Sequence, residues 1–317
     1  MNVYGENNKS NVTFTNDQAD AVDDLISFIA APWSDTDYVH ALCGAGGTGK
    51  TFVTKYVIQN CKFSSSVIAC AAPTHKACRV FSNAIGGKSV DTIQSMFGFR
   101  LDVDIEDFDP EKPAFNPIGN IKILDKEIRV LIIDESSMLN GKLVNYINKL
   151  CKKHHIKIIY IGDASQLPPV NEKVSRAFTI ATRVNYLNET VRQGDNNPIS
   201  NLLDILRNDI SRGRYDMLNY IANPKNKSQY NERGCGYTVC SPQEFDYHIE
   251  QAFTNEEYTK NVDMYKIIAY TNARVTQWNN YVRKSIIKGA DKNIITKNDL
   301  IMLSLIHISE PTRHLRI

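Results

Sequence analysis

Two groups of residues in this sequence have the types and spacing to act on a phosphoanhydride. The first is the run Gly44-Ala45-Gly46-Gly47-Thr48-Gly49-Lys50-Thr51. Its glycines let the backbone bend so that N–H groups point inward at phosphate oxygens. Lys50 reaches the β- and γ-phosphates, and Thr51 offers a hydroxyl to Mg²⁺. The second is Asp134-Glu135. Asp134 suits a Mg²⁺ ligand, and Glu135 suits orienting and activating an attacking water. An acidic pair alone is a weak signal. Joined to the glycine-rich loop, it predicts hydrolysis of a nucleoside triphosphate with Mg²⁺ required.

Other polar residues fall beside these. Gln166, in Gly162-Asp163-Ala164-Ser165-Gln166-Leu167-Pro168-Pro169, sits on a turn stiffened by two prolines. It suits sensing a γ-phosphate, and a plain turn capped by Asp163 is the alternative. Arg192 could stabilise the charge of a phosphoryl-transfer transition state or be a surface arginine. Pro73-Thr74-His75-Lys76 and Thr92, within Asp91-Thr92-Ile93-Gln94-Ser95, offer hydroxyls, N–H groups and a cation that suit sugar–phosphate contacts. His75 near Cys70 and Cys78 lacks a fourth ligand at zinc spacing. Trp278 could stack on a base or pack in a core.

The elements that must position these residues read as strands alternating with helices. A capping box formed by Thr15 and Gln18 opens a helix running to about Ala31. Apolar strands are expected at 38–43, 66–72, 128–133, 156–161 and 184–187, each followed by one of the polar groups above. Helices are expected after the loop, after Ala77, at 142–154 and at 198–208. This alternation predicts an α/β fold, a doubly wound parallel sheet with ligands at the carboxyl ends of its strands. Residues 99–119 interleave Phe99, Phe108 and Phe115 with acids and prolines, and read as an inserted hairpin or small subdomain. The polar stretch 222–236 reads as a boundary region. A second α/β unit follows, with a helix at 242–253, a strand at 265–270 ending in Thr271-Asn272, and a helix at 275–287.

Composition narrows the class. The chain has 317 residues, 42% hydrophobic and 23% charged, with a net charge of +2. That is an ordinary globular balance with no global basic field, so any nucleic-acid site must be a local groove. No apolar run approaches the ~20 residues of a membrane span. The seven cysteines are scattered with no C-x-x-C pair, and read as reduced intracellular thiols.

This set of motifs, in this order, resembles superfamily 1B DNA helicases, most closely the Dda type of T-even phages, with RecD-type and Pif-type relatives. Thr15-x-x-Gln18 resembles the Q motif, which implies adenine recognition by Gln18. Gly44 to Thr51 matches motif I, and Ala71-Ala72-Pro73-Thr74-His75-Lys76-Ala77 matches motif Ia. Thr92-Ile93-Gln94-Ser95 matches motif Ib, Ile133 to Met138 motif II, and Gly162 to Val170 motif III. Leu187-x-Glu189-x-x-Arg192 resembles motif IV with its arginine finger. Ala269-Tyr270-Thr271-Asn272 resembles the next block, which implies DNA contacts at Thr271 and Asn272.

The resemblance implies a P-loop NTPase of RecA-like fold, an acid-anhydride hydrolase that couples ATP hydrolysis to 5′→3′ movement on single-stranded DNA. Residues 98–119 take the position of the 1B insertion that carries the pin at the fork. The expected organisation is a disordered N-terminus over 1–13, a RecA-like domain over 14–190 with that insertion, and the first part of a second RecA-like domain over 191–302. Expected partners are single-stranded DNA, duplex forks and single-strand-binding or replication proteins. The chain is read as monomeric, cytoplasmic, of phage or bacterial origin, and serving DNA replication or repair. An ATPase switch and a RecD-like subunit of a nuclease complex are the alternatives.

The resemblance has a gap. No T-x-H-K-x-Q-G block (motif V) and no V-x-x-T-R-x-[RK] block (motif VI) is present. Residues 303–317 read as the translation of a transposase-type sequencing adapter, so the expectation is a truncated product with a non-native tail. Such a product is expected to be impaired and unable to unwind DNA.

Overall fold

The computed structural model describes residues 13–100, 108–124, 127–169, 172–189, 191, 197–261, 264–286, 290 and 292. The N-terminus to residue 12, the centre of the insertion at 101–107, Arg192 and the tail from 303 lie outside the described residues. The chain forms two compact units, Met1–Asp195 and Asn196–Ile317.

The first unit is a six-stranded parallel sheet with helices on both faces. Its elements run α1 (Asn16–Ala30), β1 (Val39–Gly44), α2 (Lys50–Asn60), β2 (Ile68–Ala72), α3 (His75–Ala84), β3 (Asp91–Thr92) and α4 (Ile93–Phe97). They continue β4 (Val130–Ile133), α5 (Gly141–Lys153), β5 (Lys157–Gly162), α6 (Arg176–Thr179) and β6 (Arg183–Leu187). The spatial order is β3-β2-β4-β5-β1-β6, every pair parallel. This is the doubly wound α/β architecture expected from the alternation of elements.

The strands read as continuous apolar runs because both faces are covered. Along β4, Val130 and Ile132 join Leu25, Phe28, Val53 and Val57 on the side of α1 and α2. Leu131 and Ile133 join Leu143, Val144 and Ile147 of α5 on the other side. The capping box at α1 is formed: Gln18 N–H donates to Thr15 Oγ1, and Thr15 N–H donates to Gln18 Oε1. The insertion's Phe99, Phe108 and Phe115 are all buried in the α5-side core.

The second unit holds α7 (Pro198–Arg212), α8 (Asp216–Ala222), the antiparallel hairpin β7 (Ser228–Tyr230) and β8 (Gly236–Thr238), α9 (Pro242–Phe253), α10 (Glu256–Lys260) and α11 (Asn272–Ile286). Two expectations need correction. The polar stretch 222–236 is no boundary: most of it forms the hairpin's first strand and turn. Its polar residues are used within the hairpin, where the Thr238 hydroxyl bonds those of Ser228 and Tyr230. The expected strand at 265–270 is not a strand. Its residues have strand-forming types, but no strand pairs with it among the described residues, and Ile268 and Tyr270 are almost fully exposed.

One buried histidine makes the first unit sensitive to pH. Asn185 Nδ2 donates to Asp24 Oδ2 at 2.8 Å, which turns Asn185 Oδ1 toward His40 Nε2 at 2.6 Å. Nε2 therefore carries the ring proton, and the buried Nδ1 has no hydrogen-bond partner among the described residues. Protonating Nδ1 would bury an unpartnered charge, and burial holds the His40 pKa below its ordinary 6.5. On acidification the unfolded chain takes up this proton before the folded one, so stability falls as pH drops below 6.5, with a slope approaching ~1.4 kcal/mol per pH unit. Chemical denaturation at pH 7.5 and 5.5 is expected to show the loss in the wild type and a smaller loss in His40→Gln.

Candidate functional site

The site is assembled at the carboxyl ends of β1, β4, β5 and β6. In the sheet register Cys43 pairs with Gly162 and Gly44 with Leu187, which brings the start of the glycine-rich loop level with the ends of β5 and β6. Gly44 cannot carry a side chain, because a Cβ there would lie 2.6 Å from Thr48 Oγ1 and 2.8 Å from Leu187 O. Gly47 and Gly49 take φ of 87° and 90°, which L side chains rarely adopt. The Thr48 hydroxyl, in a buried residue, donates to Ala45 O at 2.9 Å and closes the loop on itself.

The loop is braced from outside by α1. Gln18 is 2% exposed, and its Nε2 donates to Thr48 O at 2.9 Å. A Cβ on Gly49 would lie 2.5 Å from that same nitrogen. On the far side, Val191 N–H donates to Gly47 O at 3.0 Å, tying the segment after β6 to the loop one residue before Arg192. Neither tie is visible in the sequence, since each joins residues far apart along the chain.

Lys50 begins α2, whose N-cap Gly49 supplies no side-chain acceptor. The first-turn N–H groups of the helix, with its dipole behind them, are thus without a side-chain cap and suit an anion. Lys50 Nζ donates to Gly44 O at 2.6 Å and Ala45 O at 3.0 Å. These carbonyls belong to the loop that would hold the phosphates, so the ammonium already lies at the loop. Burial pushes the Lys50 pKa down, while Asp163, Asp134 and Glu135 oppose the shift. Asp163 caps its turn as expected, accepting from Ser165 N–H at 2.9 Å, and is in addition a member of this cluster.

The acidic pair follows β4. Asp134 N–H donates to Ala71 O at 3.0 Å. Burial pushes its carboxyl up to about 6, opposed by the hydrogen bond it accepts from the Glu135 N–H and by Lys50, while the Glu135 charge adds to the rise. A buried acid of this kind fits a divalent cation, whose charge would offset the desolvation. Glu135 has φ 53°, the left-handed region, which costs a residue with a side chain on the order of 1 kcal/mol. The turn after it is clamped: Ser136 Oγ donates to Ile133 O, and Ser175 Oγ reaches Ser136 O and Leu139 O, both at 2.9 Å. Ser137 Oγ donates to Gln166 Oε1 at 3.3 Å, so the exposed Gln166 is tied to the acidic turn.

The residues considered for sugar–phosphate contacts divide. Thr74, His75 and Lys76 are exposed at the end of β2, with the Thr74 hydroxyl accepting from Ala77 N–H. Pro73 is buried, and Thr92, 5% exposed, uses its hydroxyl to accept from Ser95 N–H at the start of α4. Thr271 and Asn272 belong to the second unit, where Thr271 Oγ1 accepts from Arg274 N–H. Trp278 is half-buried and packs edge-on against Phe245 at 5.6 Å.

Comparison with known proteins places the chain in a family. Residues 13–222 match the AAA domain family. The chain is similar to the ATP-dependent DNA helicase dda of Enterobacteria phage T4, 28% identical over 281 residues, covering 82% of this chain and 55% of that protein. It is also similar to the ATP-dependent DNA helicase PIF1 of Candida albicans, 32% identical over 152 residues, covering 43% of this chain and 15% of that protein. Among solved structures it resembles Pif1 of a Bacteroides species in complex with ADP-AlF4, with a TM-score of 0.46 and 21% identity, covering 84% of this chain and 56% of that one. The chain thus spans about half the length of the T4 protein and less of the Candida one.

Gln18 offers a discriminating test. Gln18→Glu keeps an oxygen for Thr15 N–H but replaces the donor to Thr48 O with a second acceptor. The buried carbonyl left unpaired costs about 1–3 kcal/mol. Titration with ATP and with inorganic tripolyphosphate is expected to show both weakened, by roughly tenfold, if the residue braces the loop. A loss confined to ATP would instead mark contact with adenine.

Proposed function

The chain belongs to the AAA domain family and is superfamily 1B helicase-like, and from that premise we propose that its first unit is the ATP-hydrolysing half of a DNA helicase motor moving 5′→3′ on single-stranded DNA. One observation carries the reading: the Lys50 ammonium lies on the glycine-rich loop while the carboxylates of Asp134, Glu135 and Asp163 act on it from the ends of neighbouring strands.

In this reading the loop from Gly44 to Thr51 and the first turn of α2 hold the triphosphate. Lys50 exchanges the Gly44 and Ala45 carbonyls for phosphate oxygens. Thr51 and Asp134 would hold Mg²⁺, which supplies neutralisation of the charge on the β- and γ-phosphates. Glu135 takes the proton from the attacking water as the new bond to the γ-phosphorus forms and the bond to the leaving ADP oxygen breaks. Gln166, tied to Ser137, reports the state of the γ-phosphate, and the Arg192 guanidinium stabilises the developing charge. Thr74, His75 and Lys76 take the DNA backbone, with Thr271 and Asn272 as further contacts from the second unit, so preference is for single strand over duplex rather than for sequence. No helix among the described residues is long and apolar enough to cross a membrane; we assign the protein to the cytoplasm, acting as a monomer at forks.

The test is ATP hydrolysis with and without oligo-dT. A product that includes motifs V and VI is expected to be strongly stimulated, and Lys50→Ala to lower turnover by on the order of 10²-fold or more. The 317-residue chain is expected to bind ATP with little stimulated turnover. Hydrolysis by the longer product that is indifferent to DNA would overturn the motor reading and favour an ATP-driven switch.

A further inference from the structure

The buried Asn140 side chain joins the turn after Asp134-Glu135 to the insertion. Five residues beyond Glu135, Asn140 caps α5. Its Oδ1 accepts from Leu143 N–H at 2.8 Å, which is the ordinary task of an N-cap. Its Nδ2 turns the other way and donates to Phe108 O at 3.2 Å, within the insertion. A cap needs only the oxygen, and serine, threonine or aspartate serves that purpose equally. The amide nitrogen is therefore the part of this residue that capping does not explain.

Both ends of this link are held firmly. On the catalytic side, the Ser175 hydroxyl fixes the carbonyls of Ser136 and Leu139, and Glu172 Oε1 accepts from Gly141 N–H at 2.6 Å. On the insertion side, the Phe108 ring packs against Phe99 at 5.2 Å, Phe115 at 5.1 Å and Tyr146 of α5 at 5.5 Å. The root of the insertion is closed by Ile118 N–H donating to Gly98 O at 2.9 Å. Gly98, at φ 71°, leaves no room there: a Cβ would lie 2.9 Å from Gly119 O. The described part of the insertion is thus packed on α5, and α5 starts where the turn carrying Glu135 stops.

We infer that Asn140 is a positioning residue that couples the nucleotide site to the insertion through its Nδ2 bond to Phe108 O. This rests on the reading of the first unit as an ATP site. A change in the turn after Asp134-Glu135 on nucleotide binding shifts the Asn140 backbone, and the amide transmits the shift to Phe108 and its aromatic neighbours. The exposed pair Lys142–Asp109 at 2.7 Å runs alongside, but solvent screens it, and it adds little.

Asn140→Asp separates the two tasks. The carboxylate still accepts from Leu143 N–H and suits the helix N-terminus, but it has no proton for Phe108 O. Asn140→Ser keeps a cap while being too short to reach, and serves as the second variant should the aspartate disturb folding. The experiment is hydrogen–deuterium exchange of the 317-residue chain with and without Mg²⁺ and a non-hydrolysable ATP analogue, alongside titration of a fluorescent ATP analogue. Wild type is expected to show exchange over residues 108–120 slowed by on the order of fivefold or more on nucleotide binding. Both variants are expected to bind nucleotide within about twofold of wild type, keep the amides of α5 protected, and lose that response. Variants that bind and respond like wild type overturn the proposal. Wild type that binds nucleotide without a response over 108–120 overturns the coupling alone, whereas wild type that fails to bind overturns the ATP-site reading and the coupling with it.

Discussion

The Lys50 ammonium is held between two opposing demands, and the arrangement of the first unit follows from them. Burial disfavours its charge, while the carboxylates of Asp134, Glu135 and Asp163 favour it. A partly buried cation of this kind is stable only if acceptors are fixed around it. Here they are the Gly44 and Ala45 carbonyls on one side and the acidic strand ends on the other. The carboxylates come from β4 and β5, and the lysine follows β1, with β5 lying between the other two strands. Parallel strands with a common register are what bring three chain-distant groups to one level. A triphosphate entering this cluster gives the ammonium a negative partner in place of neutral carbonyls, so the pre-existing tension favours the anion.

Much of this is legible in the amino-acid sequence. Gly44 to Thr51 and Asp134-Glu135 have fixed spacing, and the apolar runs before them have strand character on both faces because both faces are buried. What stayed illegible depended on contacts remote in sequence. Gln18 reads as a capping residue and is one, yet its other end braces Thr48. Thr92 has the hydroxyl a backbone-binding residue needs, but that hydroxyl is used within the protein at the start of α4. The segment 265–270 has the residue types of a strand, and a strand is defined by its neighbour rather than by its own side chains. The stretch 222–236 read as a boundary for its polarity, though polar side chains pair across β7 and β8 as readily as they line a linker.

The insertion shows the same logic at larger scale. Its phenylalanines, spaced irregularly among acids and prolines, have no helical or strand period. Three of them nonetheless share one aromatic cluster with Tyr146 of α5. Aromatic side chains bury large areas without requiring long regular elements, so a segment whose described part holds only the short 3-10 turn Pro113–Phe115 can still be anchored to its parent domain.

The left-handed Glu135 connects these observations. A non-glycine residue holds such a conformation when its surroundings over-determine it. The surroundings here are Ser136, Ser137 and Ser175, whose hydroxyls bind the turn's own carbonyls and Gln166. Those serines fix where the Glu135 side chain sets out from the backbone, and they fix where α5 begins. The geometry that places the Glu135 side chain therefore also sets the position of the helix on which the insertion rests, and neither can shift far without the other.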